Sequence, residues 1–451
     1  MARLLSIVVL LYWSILPTLL AQKKKKAVKK SPSSVVVTSQ GVFPIKVSPN
    51  GRYLVDRFYR PFLMNADAGW LLLHKLTLND AKEYMANRAN KNFNTIFIQL
   101  LPPSPTQSNA YGERPFGKNN DFATPNERYF QYVEDILYHA SQLHLLVALA
   151  PAWLAGWDEV QFQNGEQKAK LYGEYLGNRF KKHQNVLWIM GGTRDPLREE
   201  KIQIAIAEGL RSAAPFQLLT YHAANTHSST DVFSAEKWLD FSMIHHYFKD
   251  KKEGQAQDRP QVYESALAEA QKIPRRAFVL GEAQHEDENE GSDQMVRRQA
   301  YWTMLSGGAG HCYGSSVWAF ENNWQEKLNL PGANQMAYFS KIMGALPWYL
   351  FKADTTSQVL VEGRGKVGGD DYATVGVLPN YRMAAIYLPT GRSIQVNVEK
   401  INGTSIRALW ISPRTNKRWI GGYFKPKGTR ELIPPTLEDD WLLLLGNVGR
   451  K

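Results

Sequence analysis

The chain has 451 residues, enough for two or three domains, and its 44% hydrophobic content is that of a globular protein with a sizeable core. Of its formal charge of +12, seven positive charges (Arg3, Lys23, Lys24, Lys25, Lys26, Lys29 and Lys30) fall within residues 1–30, which carry no acid. The remainder keeps only five, so the basic balance is a tail effect that gives no support to nucleic-acid binding, and a single cysteine, Cys312, excludes an internal disulfide framework.

At the start, Arg3 precedes an apolar run from Leu4 to Leu20, and Ala21 offers a small residue for cleavage. This pattern predicts a secretory signal peptide over 1–21 and a secreted or periplasmic protein; an uncleaved anchor is the competing reading. Residues 22–40, with "KKKKAVKKSPSS", read as a basic disordered linker. From 42 to 61 a hairpin is expected around Pro49-Asn50-Gly51.

Strands and helices then alternate. Strands are predicted at 62–70, 93–101, 145–153, 185–192, 218–223, 241–247, 277–283 and 311–318, and helical periodicity fills 76–91, 126–143 and 166–182. Eight buried strands with intervening helices over ~260 residues match a (β/α)8 TIM barrel, here 41–353. A doubly wound open sheet fits less well, because no glycine-rich phosphate loop follows the first strand. From 354 to 451 short runs such as "DYATVGVLP", "MAAIYLPTG" and "DDWLLLLG" predict a small antiparallel β-sandwich, with "YLPTGRSIQVNV" and "WISPRTNKRWIGGYF" as hairpins.

Polar and aromatic residues gather where the eight strands end: Asp67, Trp70, Gln99, Trp153, Asp195, His222, His246, Glu282 and Trp318. Barrel strand ends converge on one face, where active sites sit. Glu282, in "FVLGEAQHE", is the first catalytic candidate, since glycosidases need two carboxyl groups flanking the scissile bond. The acidic run after it also permits a solvated loop glutamate. The partner is sought in "NVLWIMGGTRDP". Thr193 has no hydroxyl that titrates usefully, whereas Asp195 can donate a proton and Arg194 can hold a carboxylate or a sugar hydroxyl. Equally, Thr193 or Asp195 can cap a helix opened by Pro196.

Asp67 is a candidate sugar ligand, and Trp70, Trp153, Tyr247 and Trp318 are candidate stacking platforms. His222, His246, Gln284, His311 and Tyr313 complete the expected carbohydrate-binding rim. His245 and His246 point to opposite sides of one strand, so at most one faces the site. Cys312 reads as a packed core thiol. No metal or organic cofactor is expected. The carboxylate of Glu282 is expected within about 5–10 Å of that of Asp195 or Asp67.

"NGRYLVDRFYRPFLMNADAGWLLLHKLTLNDAKEYMANRANKNFNTIFIQLL" resembles the opening of the apiosidase-like barrel of glycoside hydrolase family 140. "NVLWIMGGTRDP", "WLDFSMIHHY", "VLGEAQHE" and "QAYWTMLSGGAGHCYGSSVWAF" look like its later landmarks, in order. The tail from about 354 resembles the small β-domain that follows it and carries a collagen-binding label. The resemblance implies a retaining glycosidase, with a nucleophile at Glu282 and an acid/base aspartate after the fourth strand. The family pattern Asp-Arg-Asn-Pro is here Thr-Arg-Asp-Pro, which puts Thr193 at the acid/base position and an aspartate at Asp195. "NADAGW" departs from Gly-Asp-Thr-Ala-Trp but keeps Asp67 and Trp70. The expected function is hydrolysis of glycosidic bonds in polysaccharide side chains. The alternatives are a glycan-binding barrel that has lost its acid, or a matrix-binding protein.

Overall fold

A computed structural model describes residues 41–247 and 261–447. The expected signal peptide and basic linker lie outside the described residues, among which no helix is long and apolar enough to cross a membrane. A short antiparallel hairpin, β1 (Lys46–Val47) and β2 (Leu54–Val55), comes first. Its turn is held by the Ser48 hydroxyl, which donates to Asn50 Oδ1 at 2.8 Å.

Eight parallel strands follow: β3 (Met64–Ala68), β4 (Thr95–Gln99), β5 (Leu146–Ala150), β6 (Val186–Gly191), β7 (Leu219–His222), β8 (Ser242–His246), β9 (Phe278–Ala283) and β10 (Gly310–Tyr313). They pair in the order β7-β6-β5-β4-β3-β10-β9-β8. All eight predicted strands are present, and the architecture is the expected TIM barrel. Alternation sorts their side chains. Ala66, Ala68, Phe97, Ala148, Leu187 and Ile189 belong to one apolar cluster. Their neighbours Ile96, Ile98, Val147, Leu149, Val186 and Trp188 belong to a second, with the helices.

The ends of the series, β7 and β8, are joined through a side chain. The Ser229 hydroxyl donates to Tyr221 O at 2.5 Å and accepts from Met243 N at 2.7 Å. Thr220 Oγ1 adds a bond to Phe241 O at 2.8 Å.

The helices are α1 (Leu72–Lys75), α2 (Leu78–Asn90), α3 (Glu127–Gln142), α4 (Asp158–Phe180), α5 (Glu200–Ala213), α6 (Ser229–Phe233), α7 (Val262–Gln271), α8 (Asp293–Leu305), α9 (Trp324–Lys327) and α10 (Pro331–Gly344). Thr77 and Asp80 form a capping box at α2, satisfying backbone donors that the first helical turn leaves free. α4 begins before residue 166 because it continues through a break at Gly165. α5 starts at Glu200, not at Pro196, so neither Thr193 nor Asp195 caps it.

The C-terminal strands are β11 (Lys352–Ala353), β12 (Leu360–Glu362), β13 (Thr374–Val377), β14 (Met383–Leu388), β15 (Ile394–Asn397), β16 (Ile406–Ile411), β17 (Arg418–Phe424), β18 (Thr429–Leu432) and β19 (Trp441–Asn447). They build a six-stranded sheet, β11-β13-β14-β19-β16-β17, and a three-stranded one, β12-β15-β18. Val375, Ile386, Val396, Trp410 and Leu443 are buried in their shared core. "WISPRTNKRWIGGYF" is the hairpin β16–β17. "YLPTGRSIQVNV" is not a hairpin, because β14 and β15 join different sheets. Helix α8 packs on this region: Arg297 makes two bonds of 2.9 Å to buried Asp440, and Tyr301 stacks on Tyr387 at 4.7 Å.

Candidate active site

A cavity of about 430 Å³ opens at the carboxyl ends of the barrel strands. Each strand contributes a residue at or just beyond its end: Trp70, Gln99, Trp153, Thr193, Asn225, His245, Glu282 and Trp318. Tyr247, His285 and Glu288 also line it. The Trp70 and Trp153 rings meet at 4.8 Å and form an apolar wall. Gly191 and Gly192 let β6 end between its neighbours. A Cβ on Gly191 would come 2.3 Å from His222 O, and one on Gly192 would come 2.4 Å from Leu154 O.

Glu282 sits among three imidazoles. Its Oε2 lies 2.8 Å from His222 Nε2 and 3.6 Å from His245 Nε2, and its Oε1 lies 3.7 Å from His285 Nε2. Burial opposes ionisation of Glu282, but His245, His222 and His285 outweigh it and hold the carboxyl well below the usual carboxylate range. Burial pushes His245 down to about 4, against the pull of Glu282. His222 is fully buried behind the cavity, with its ring 5.0 Å from that of Trp153. One ligand atom from each of His222, His245 and Glu282 lies within 4.8 Å of the others, a set that could hold a metal ion.

The second carboxylate in the cavity is Glu288. It accepts from Trp318 Nε1 at 2.7 Å and from Tyr247 OH at 3.3 Å, and it lies 3.0 Å from His285 Nδ1. Burial alone would raise its pKa; the bonds from His285 and Trp318 lower it overall. His285 therefore bridges Glu288 to Glu282.

Several expected site residues stand elsewhere. Asp195 does not line the cavity. Its Oδ1 accepts from Ala224 N at 2.8 Å and its Oδ2 meets His227 Nδ1 at 2.5 Å, tying the loop after β6 to the loop after β7. Arg194 pairs with Asp158 at 2.9 Å and Glu199 at 3.1 Å, which clamps its own loop. Asp67 faces the helix layer, where Arg88 Nε meets it at 2.8 Å and Tyr84 donates to it. His311 also faces outward, bonded to Asn65 at 3.0 Å, and Tyr313 donates its hydroxyl to Glu286. Gln284 supports the loop that carries Glu288, donating to Glu288 O at 2.8 Å. On β8 the cavity takes His245 rather than His246. The alternation that places Ala66 and Ala68 inward turns Asp67 outward.

A family described as "Apiosidase-like, catalytic domain" matches residues 48–350. The chain belongs to the apiosidase-like family. A second family, described as "Putative collagen-binding domain of a collagenase", matches residues 360–446. Among solved structures, a glycoside hydrolase family 5 protein from Bacteroides vulgatus is 23% identical with a TM-score of 0.81, covering 90% of this chain and 94% of its own. Another glycoside hydrolase is 24% identical with a TM-score of 0.81, covering 91% and 98%. These likenesses show the fold. No curated protein matches. By family and fold this apiosidase-like chain is a glycoside hydrolase.

Glu288 and His285 escaped the sequence reading because "QHEDENE" has the composition of a solvated loop. The detectable signal was local: His285 and Glu288 are three residues apart in a loop directly after a catalytic-type strand end.

Proposed function

We propose that this apiosidase-like protein is a secreted or periplasmic hydrolase of glycosidic bonds in polysaccharide side chains, with Glu282 as the nucleophile of a retaining mechanism. The observation that carries the reading is the placement of Glu282 at the end of β9, in a cavity walled by Trp70, Trp153 and Trp318. Aromatic faces suit the C–H surfaces of a sugar ring. Glu282 attacks the anomeric carbon, its oxygen–carbon bond forms, and the bond to the leaving oxygen breaks.

Glu288 takes only the base half of the part expected of Asp195. Because it is held ionised, it acts as a base: it accepts a proton from the water that attacks the glycosyl ester and frees Glu282, and that proton then passes to the departed alkoxide. Neither Thr193 nor ionised Glu288 can protonate the leaving group in the first step. The site therefore favours leaving groups that depart easily.

A second reading, glycan binding without cleavage, is favoured by the observation that Thr193 lines the cavity. Digestion of a glycan panel by the wild type, Glu282→Gln and Glu288→Gln separates them. Sugar release by the wild type that is lost in Glu282→Gln is expected, and release that survives that substitution removes Glu282 from the mechanism. Glycan binding by the wild type with no release on any substrate selects the second reading.

A further inference from the structure

We infer that His222, His245 and Glu282 form a binding site for a divalent first-row transition metal, of which Zn2+ is the representative. His222 Nδ1 lies 2.7 Å from Gly192 O, and His245 Nδ1 lies 2.8 Å from Ala223 O. A carbonyl oxygen only accepts, so in both rings Nδ1 carries the proton. In the neutral tautomer each Nε2 then presents a lone pair, and the two Nε2 atoms lie 2.8 and 3.6 Å from Glu282 Oε2, itself an acceptor. His222 Nε2, in a side chain that is 0% exposed, lies 2.8 Å from Glu282 Oε2 without the alignment of a hydrogen bond. With both imidazoles neutral, three electron pairs converge on one small space.

A metal ion is the group this arrangement fits. Imidazole nitrogens that bind metals commonly donate their other N–H to a backbone carbonyl, which fixes the tautomer and raises ligand basicity. Both rings have that support, from carbonyls at the ends of adjacent strands. Two imidazoles and one carboxylate match the ligand types of Zn2+, which binds them at ~2.0–2.2 Å. The three ligand atoms already lie within 4.8 Å of one another. His245 and Glu282 line the cavity, which leaves a coordination position open to it for water or a sugar hydroxyl.

The ion and the proposed nucleophile use the same carboxylate. Metal bound to Glu282 withdraws electron density from the group that would attack the anomeric carbon, so a bound ion inhibits hydrolysis. This consequence rests on the function proposed above, whereas binding itself does not.

The test uses the full chain without a polyhistidine tag, stripped with a chelator and titrated with Co2+ by visible absorption and with Zn2+ by calorimetry, at pH 7.5. One equivalent is expected, with the absorption of a nitrogen- and oxygen-liganded cobalt site. His222→Ala, His245→Ala and Glu282→Gln should each weaken binding at least tenfold, and circular dichroism reports whether each variant is folded. Glu282→Gln preserves shape and serves if a histidine variant unfolds. Absence of saturable binding to the wild type overturns the inference and assigns the gap to a proton on His222. Equal binding by wild type and Glu282→Gln also overturns it. Loss of hydrolysis on adding Zn2+, reversed by chelator, is the expected activity readout. If the protein binds Zn2+ but cleaves no glycan, the metal site stands and the proposed function falls.

Discussion

Replacing Asp67 with alanine separates a structural role from a substrate-binding one. Asp67 and Arg88 are 2% and 0% exposed, and they meet at 2.8 Å between β3 and α2. Arg88 Nη1 donates to Leu328 O at 2.9 Å, but Arg88 Nη2 and Asp67 Oδ1 find no hydrogen-bond partner among the described residues. A buried pair with incomplete hydrogen bonding adds little net stability over an apolar substitute, yet removing one partner strands the other charge and costs about 3–5 kcal/mol. That loss lowers the folded-to-unfolded ratio by about 10²–10⁴-fold. Urea unfolding followed by tryptophan fluorescence reads it as a lower midpoint. The double variant Asp67→Leu/Arg88→Met should recover most of the loss, because it leaves no stranded charge. At a temperature where both proteins are folded, KM should match the wild type, since Asp67 does not line the cavity. Wild-type stability combined with a tenfold rise in KM for Asp67→Ala would refute the reasoning.

Thr193→Asp places a carboxyl group in the cavity at the end of β6 and should raise kcat/KM by about 10²–10⁴ on substrates with poorly departing alkyl leaving groups; no gain on such substrates would show that proton supply is not what limits them. Trp318→Phe removes a hydrogen bond that depresses the Glu288 pKa, so that pKa climbs. Because Glu288 must be ionised to act as a base on the glycosyl ester, the acid limb of the kcat profile on a substrate with a readily departing leaving group should move to higher pH, and an unmoved limb detaches Glu288 from the reaction. Partial burial of Glu134 raises its pKa, but Lys182, Arg179 and His183 lower it overall. Its contribution to stability is therefore present above the unfolded value of about 4.3 and is lost as pH falls through the lower folded value. Glu134→Gln should lower Tm at pH 7 and converge on the wild type in strong acid; a pH-independent difference contradicts this assignment.

The barrel was legible in the sequence because each strand is a short apolar run bounded by turn residues, and "LVALA" or "VLWIM" reads the same alone as in the sheet. The site was legible in outline for the same reason: Trp70, Gln99, Trp153 and Glu282 stand at strand ends, and strand ends converge. Which way a side chain points depends on strand phase, and apolar runs buried on both faces do not reveal phase. Hence Asp67, His311 and Tyr313, all at strand ends, turn to the helices, and β8 presents His245 instead of His246. Loop partners were less accessible still. Asp195 meets His227, 32 residues away, and Glu288 meets Trp318, 30 residues away, pairings that no local pattern encodes.

The Ser229 hydroxyl that bridges β7 and β8 has a bearing on motion. Elsewhere around the barrel, neighbouring strands share a backbone ladder; here side-chain hydroxyls carry much of the link. Such a seam is the line along which the sheet parts at least cost, and its amides should exchange with deuterium ahead of those in β4 and β5. His222 closes β7 and His245 stands near the end of β8, so the two imidazoles that converge on Glu282 straddle that line. Breathing of the seam separates them, and any cation or proton that holds both rings together locks the ring of strands shut.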